Sequence, residues 1–81
     1  MWFIYLLRCS DNTLYTGITN DLQRRLKQHN KGVAAKYTRG RTPVVLVKSF
    51  SRETKGEALQ LEYRIKQLSH QEKLDFNDPP T

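Results

Sequence analysis

The sequence predicts an α/β domain of the α+β kind: a small, three-stranded, mostly antiparallel sheet flanked by helices, in the order ββαβα(α). Three observations carry that expectation. Two apolar runs, residues 2–8 and 14–18, flank the turn-forming Ser10-Asp-Asn-Thr13, which is the pattern of a β-hairpin. A third run, residues 44–50, follows Pro43 and is the strongest strand signal in the chain. Two further segments carry apolar residues at helical spacing.

Taken in order, Trp2-Phe-Ile-Tyr-Leu-Leu-Arg8 is apolar on both side-chain parities, as expected of a strand covered on both faces. After the second strand, Thr19 or Asn20 can cap a helix over residues 21–30. Asp21 suits the positive end of its dipole and Gly32 its exit. Leu22 and Leu26 supply the buried stripe of that helix. Residues 33–43, VAAKYTRGRTP, read as a basic loop without apolar periodicity. A longer helix is expected over residues 54–68, with Ala58, Leu61, Ile65 and Leu68 on one face. Ser69-His-Gln-Glu72 has the form of a capping box, which predicts a short last helix over residues 70–76. Nothing repeats and no linker divides the chain, so residues 1–81 are expected to form a single domain.

The composition, 37% hydrophobic and 27% charged, is that of a globular protein rather than a disordered one. Arg8 ends the apolar opening run far short of the roughly 20 residues a membrane span needs. A signal peptide's basic start and small-residue cleavage site are missing as well. Cys9 stands alone, which excludes an internal disulfide and a thiolate zinc site. A cytoplasmic protein without a membrane partner is expected. The charge is lopsided: residues 1–50 hold nine basic and two acidic side chains (+7), and residues 51–81 hold five and six (−1). Such an excess points to a polyanion, with nucleic acid the first candidate.

Several residues could carry chemistry, each with a plainer alternative. Tyr15 and Gly17 share one strand face, just before a helix N-terminus, where an anion can bind. Alternatively they are an ordinary strand aromatic and a bulge. Arg24 and Arg25 lie mid-helix, and Arg25 shares a face with His29 one turn on. An Arg there can grip two phosphate oxygens, or be simply solvated. Glu62 falls on the edge of its helix's apolar stripe, where it could hold a divalent cation or pair with Lys66.

Together, Ile4-Tyr5, Tyr15-Thr16-Gly17, Arg25 with His29, and Glu62 resemble the GIY-YIG nuclease domain, above all the small stand-alone bacterial proteins of that family. In that family the two namesake motifs lie on the first two strands, an Arg follows on the first helix, and a Glu comes from a later helix. The resemblance spans about residues 2 to 70. The first motif here reads Phe3-Ile4-Tyr5, without its Gly, and the second reads Tyr-Thr-Gly. The family also places a late Asn near its metal, and Asn77 is the only late Asn in this chain.

The resemblance implies a metal-dependent endonuclease acting on DNA, linked to repair or recombination. Tyr15 would accept a proton from the attacking water, and Arg25 would stabilise charge developing on the phosphate. Glu62 would hold a single Mg²⁺ or Mn²⁺, with water filling most of its shell. Tyr5 would position the water or phosphate, and His29 would assist. A Tyr is a poor base at neutral pH, so positive charge from Arg25 and the metal must favour its phenolate. Alongside Gly17 and Arg24, Lys36, Arg39 and Arg41 would follow backbone phosphates while Tyr37 stacks on a base; otherwise these loop residues are mobile and solvated. No recognition helix is evident, so selection by structure or strandedness is expected. Full nucleases of this class carry a further DNA-binding or partner domain, so weak activity alone is expected, with a partner protein supplying specificity. Two other readings stay open: a non-catalytic nucleic-acid-binding module of the same fold, and an RNA-associated accessory protein.

Overall fold

The structure, a computed structural model, describes residues 1–78. The elements run β1 (Trp2–Arg8), β2 (Leu14–Thr19), α1 (Leu22–Asn30), β3 (Val45–Arg52), α2 (Lys55–Lys66) and α3 (His70–Asp75). The expected order is therefore present, and all three strands are antiparallel, in the order β2-β1-β3. With β1 in the middle, its two side-chain parities enter different cores. Ile4 and Leu6 join Leu14, Ala58, Leu61 and Ile65 under α2. Tyr5 and Leu7 join Cys9 and Val44, with Leu22 and Leu26 of α1 packed on them. That is why the first strand shows no polar alternation.

The hairpin turn is held by Asp11, whose carboxylate accepts from the Thr13 backbone and hydroxyl, and by Asn12 at φ 68°. The cap of α1 is Asp21, not Thr19 or Asn20. Thr19 is still in β2, paired with Phe3, and its hydroxyl bonds the Asp21 backbone. Asp21 is thereby placed one residue outside the helix, where its carboxylate accepts from the Arg24 N–H. Gly32, at φ 77°, ends α1 as expected: its N–H reaches His29 O while Val33 N–H reaches Gln28 O.

Two other boundaries shift. The third strand starts at Val45 because the Val44 backbone is clamped at both ends by the Asn30 side-chain amide, at 2.7 and 3.2 Å. The second helix stops at Lys66 rather than Leu68, so its C-terminal turn precedes the capping box of α3. A bulge between Leu6 and Leu7 shifts the β1–β3 register. Beyond α3, Phe76 packs edge-on against Phe50, and Asp78 forms a forked ion pair with Arg52 at 2.8 Å. No helix of the described residues is long and apolar enough to cross a membrane.

Candidate active site

Tyr5 and Gly17 are direct partners across the β1–β2 ladder. A Cβ on Gly17 would lie 2.5 Å from the Tyr5 hydroxyl oxygen and 3.1 Å from Tyr15 Cε2. The absent side chain is therefore what lets the Tyr5 ring lie across β2. The close approach that a strand glycine signals is made here by Tyr5, and Gly17 is buried beneath it rather than open to a phosphate.

On the same face, α1 contributes His29, which is fully buried. Its Nε2 is 2.9 Å from the Tyr5 hydroxyl and its Nδ1 is 2.8 Å from the Thr38 hydroxyl. The imidazole meets both tyrosine rings edge-on, with centroids 5.6 Å from Tyr5 and 5.2 Å from Tyr15. Tyr15 is half-buried and stacks on Tyr37 at 5.8 Å, and the Arg41 guanidinium lies 4.2 Å from the Tyr37 ring centre. Tyr37 thus has both neighbours against it and is still 39% exposed.

Arg25, one turn before His29, gives Nη1 to the Gln28 side chain, while its buried Nε has no hydrogen-bond partner. Burial pushes the Tyr5 hydroxyl up to about 12, helped by the neighbouring Tyr15 and opposed by Arg25. Burial, and then the Arg25 charge, hold His29 below the ordinary histidine value. At neutral pH the site therefore contains a neutral imidazole and a protonated Tyr5.

Glu62 stands on α2, the helix packed on Ile4 and Leu6, and its negative charge adds slightly to the upward push on Tyr5. It is also ion-paired with Lys66 at 3.4 Å, the plainer alternative read from the helical spacing, and its side chain is 17% exposed. Among the described residues no group of three His, Cys, Asp or Glu side chains comes together.

The basic loop is less free than its composition implies. Arg41 pairs with Asp11 at 2.9 Å and donates to Tyr37 O, while its own carbonyl accepts from Ser10 N–H. Arg39 donates from Nε to Gly32 O. Arg24 and Lys36 are exposed, without an ion pair among the described residues. Asn77 lies between Phe76 and Asp78, both anchored on β3, the sheet edge opposite β2. Sequence reasoning passed over Thr38. It sits amid cations in an aperiodic loop, nine residues from His29, and no local pattern announces its burial.

The ββαβαα order, with a tyrosine on each hairpin strand, an Arg–His turn on α1 and a glutamate from α2, defines a small nuclease-superfamily domain. The chain belongs to the GIY-YIG family: the family model of the GIY-YIG catalytic domain matches residues 1–75. It is 61% identical over 74 residues to a UPF0213 protein of Bacillus velezensis, covering 91% of this chain and 75% of that one. It is 56% identical to a UPF0213 protein of Halobacterium salinarum, covering 90% and 95%. Among solved structures, the solution NMR structure of a UPF0213 protein from Bacillus halodurans superimposes with a TM-score of 0.58 at 45% identity, covering 93% and 81%. That of an E. faecalis protein gives 0.62 at 37% identity, covering 90% and 78%. Nucleases with this domain act on nucleic acid and generally use a divalent metal ion.

Proposed function

We propose that this chain is a divalent-metal-dependent endonuclease that hydrolyses phosphodiester bonds in DNA, selecting by structure rather than long sequence, in repair or recombination. One observation carries the reading. Tyr5, Tyr15, His29 and Arg25 converge from three elements, and Arg25 retains a buried donor with no acceptor among the described residues. A binding module needs a cationic surface but has no use for a buried, hydrogen-bonded Tyr–His pair.

In this reading, water attacks phosphorus in line as the bond to the 3′ oxygen breaks. Tyr15 accepts the water's proton as the general base. Tyr5, held by His29, orients the water. Arg25 donates to phosphate oxygens, and its fixed fork stabilises the charge that develops on them. Glu62 is the carboxylate this reading gives to the metal, and a lone, partly shielded carboxylate fits an ion that keeps most of its water and not one that needs a closed protein cage. A single Mg²⁺ or Mn²⁺ held there would supply positive charge for the leaving oxygen. For this it must displace Lys66.

The test uses labelled single-stranded, duplex and branched DNA with Mg²⁺, Mn²⁺ or EDTA, for wild type, Arg25→Ala and Glu62→Ala. Metal-dependent products that vanish in both variants, with binding largely kept in Glu62→Ala, support the nuclease. Binding without products in any arm would instead make the protein a nucleic-acid-binding module, and preference for RNA in the same assay would make it an RNA accessory.

A further inference from the structure

We propose that Thr38 is a positioning residue for this site: its hydroxyl locks His29 in the Nδ1–H form, turning the Tyr5 proton inward and leaving the Tyr5 oxygen as an acceptor toward the substrate. This rests on the nuclease reading only for its catalytic consequence. The hydrogen-bond chain itself is independent of any catalysis.

A Thr hydroxyl carries one proton. That of Thr38 is directed at the Ala35 carbonyl, 3.2 Å away, which can only accept. Toward His29 Nδ1, 2.8 Å away, the Thr38 oxygen is then an acceptor, so Nδ1 carries the hydrogen. A neutral imidazole has one N–H, so Nε2 is the acceptor and the Tyr5 hydroxyl donates to it across 2.9 Å. The chain runs Tyr5 O–H to His29 Nε2, His29 Nδ1–H to Thr38, and Thr38 O–H to Ala35, with each group satisfied. Reversing it leaves the Ala35 carbonyl without this partner. A protonated imidazole would also satisfy the bonds, but burial and the Arg25 charge oppose it.

All three side chains are shielded: His29 and Thr38 have no exposed surface and Tyr5 has 2%. Water therefore cannot easily stand in for a partner lost between His29 and Thr38. The consequence is directional. With its own proton turned inward, Tyr5 can accept a hydrogen bond from an attacking water but cannot donate one to a phosphate oxygen. Orientation of the nucleophile by Tyr5 thus depends on a threonine in a loop, nine residues along the chain from the histidine.

The decisive measurement is ¹⁵N NMR of the His29 ring in the free, wild-type protein above pH 7. A pyrrole-type Nδ1 and a pyridine-type Nε2 are expected, with Thr38→Ser unchanged and Thr38→Val shifted toward the Nε2–H form. In the cleavage assay Thr38→Val should lower kcat about 10- to 100-fold with little change in KM, the range for losing a histidine's orienting partner, and Thr38→Ser should restore it. A wild-type Nε2–H tautomer would overturn the proposal, and so would a Thr38→Val variant that retains the Nδ1–H form. If Thr38→Val does not fold, the wild-type and Thr38→Ser spectra still decide the tautomer. An Nδ1–H tautomer together with a wild-type protein that cuts no DNA would sink the nuclease reading alone, because the spectrum needs no substrate.

Discussion

The Tyr5 hydroxyl occupies the space that a side chain on Gly17 would require, with an ideal Cβ placed only 2.5 Å from it. This ties the two namesake motifs together physically: one strand supplies the phenol and its partner supplies the gap. Gly17→Ala should push Tyr5 off His29, costing about 1–3 kcal/mol in folding free energy by overpacking and most of the cleavage activity. Urea unfolding and the DNA assay check this. An unchanged midpoint would mean that the contact is not held in solution.

Stability should have an alkaline and an acidic shoulder, both set at this site. Tyr5 ionises near 10 when unfolded and near 12 when folded, so its contribution is complete below pH 10 and is lost as pH rises toward 12. His29 has the opposite relation: its folded value lies below the unfolded 6.5, so as pH falls through 6.5 the unfolded chain takes up a proton that the fold resists, and stability drops. Difference curves of unfolding free energy against pH, wild type minus Tyr5→Phe and wild type minus His29→Asn, isolate the two terms. A Tyr5→Phe protein with the same alkaline slope as wild type would contradict the first.

Arg25 should not be replaceable by lysine. A lysine retains the charge but lacks the planar fork that binds two oxygens. Both Arg25→Ala and Arg25→Lys are expected to lower kcat/KM about 100-fold or more, the cost of removing one preorganised donor to a developing anion. Full activity in Arg25→Lys would reduce the residue to a point charge.

Glu62 has two competing cations in this picture. Lys66→Ala removes one of them and should lower the Mg²⁺ or Mn²⁺ concentration needed for half-maximal cleavage. It should change stability by only about 0.2–0.5 kcal/mol, as an i,i+4 helix pair is worth no more. Glu62→Gln should eliminate metal-dependent product while DNA binding persists. Metal titrations of the rate, with thermal melts as control, separate these outcomes.

DNA affinity should fall steeply with salt. Arg24→Ala and Lys36→Ala, which remove exposed charges that have no ion pair among the described residues, should each reduce the slope of log K against log salt by about one. Arg41→Ala should change that slope less, because Asp11 already neutralises Arg41, and should instead loosen the loop from the hairpin turn. An equal loss of slope in all three variants would show that the Arg41–Asp11 pair opens on binding.

Most of the fold was legible locally. Period, turn residues and caps identified all six elements, because the hairpin, the Gly32 exit and the Ser69 capping box are set by residues within a few positions of one another. The misplaced boundaries at Asp21 and Val44 are places where a neighbouring element intervenes, as Asn30 does when it clamps Val44 fourteen residues away. The residues proposed for the site form an ordered set along the sequence, from Tyr5 to Glu62. What no spacing revealed was their bonding. The sequence determined by itself which side chains stand on which face of which element, since strand and helix periods follow from backbone geometry alone. Only the tertiary structure decided that Gly17 makes room for Tyr5, that Tyr15 and Arg41 both pack on Tyr37, and that Thr38 completes the His29 chain. Those relations join residues far apart along the backbone, and they come into being when the sheet, α1 and the loop pack together and shut water out.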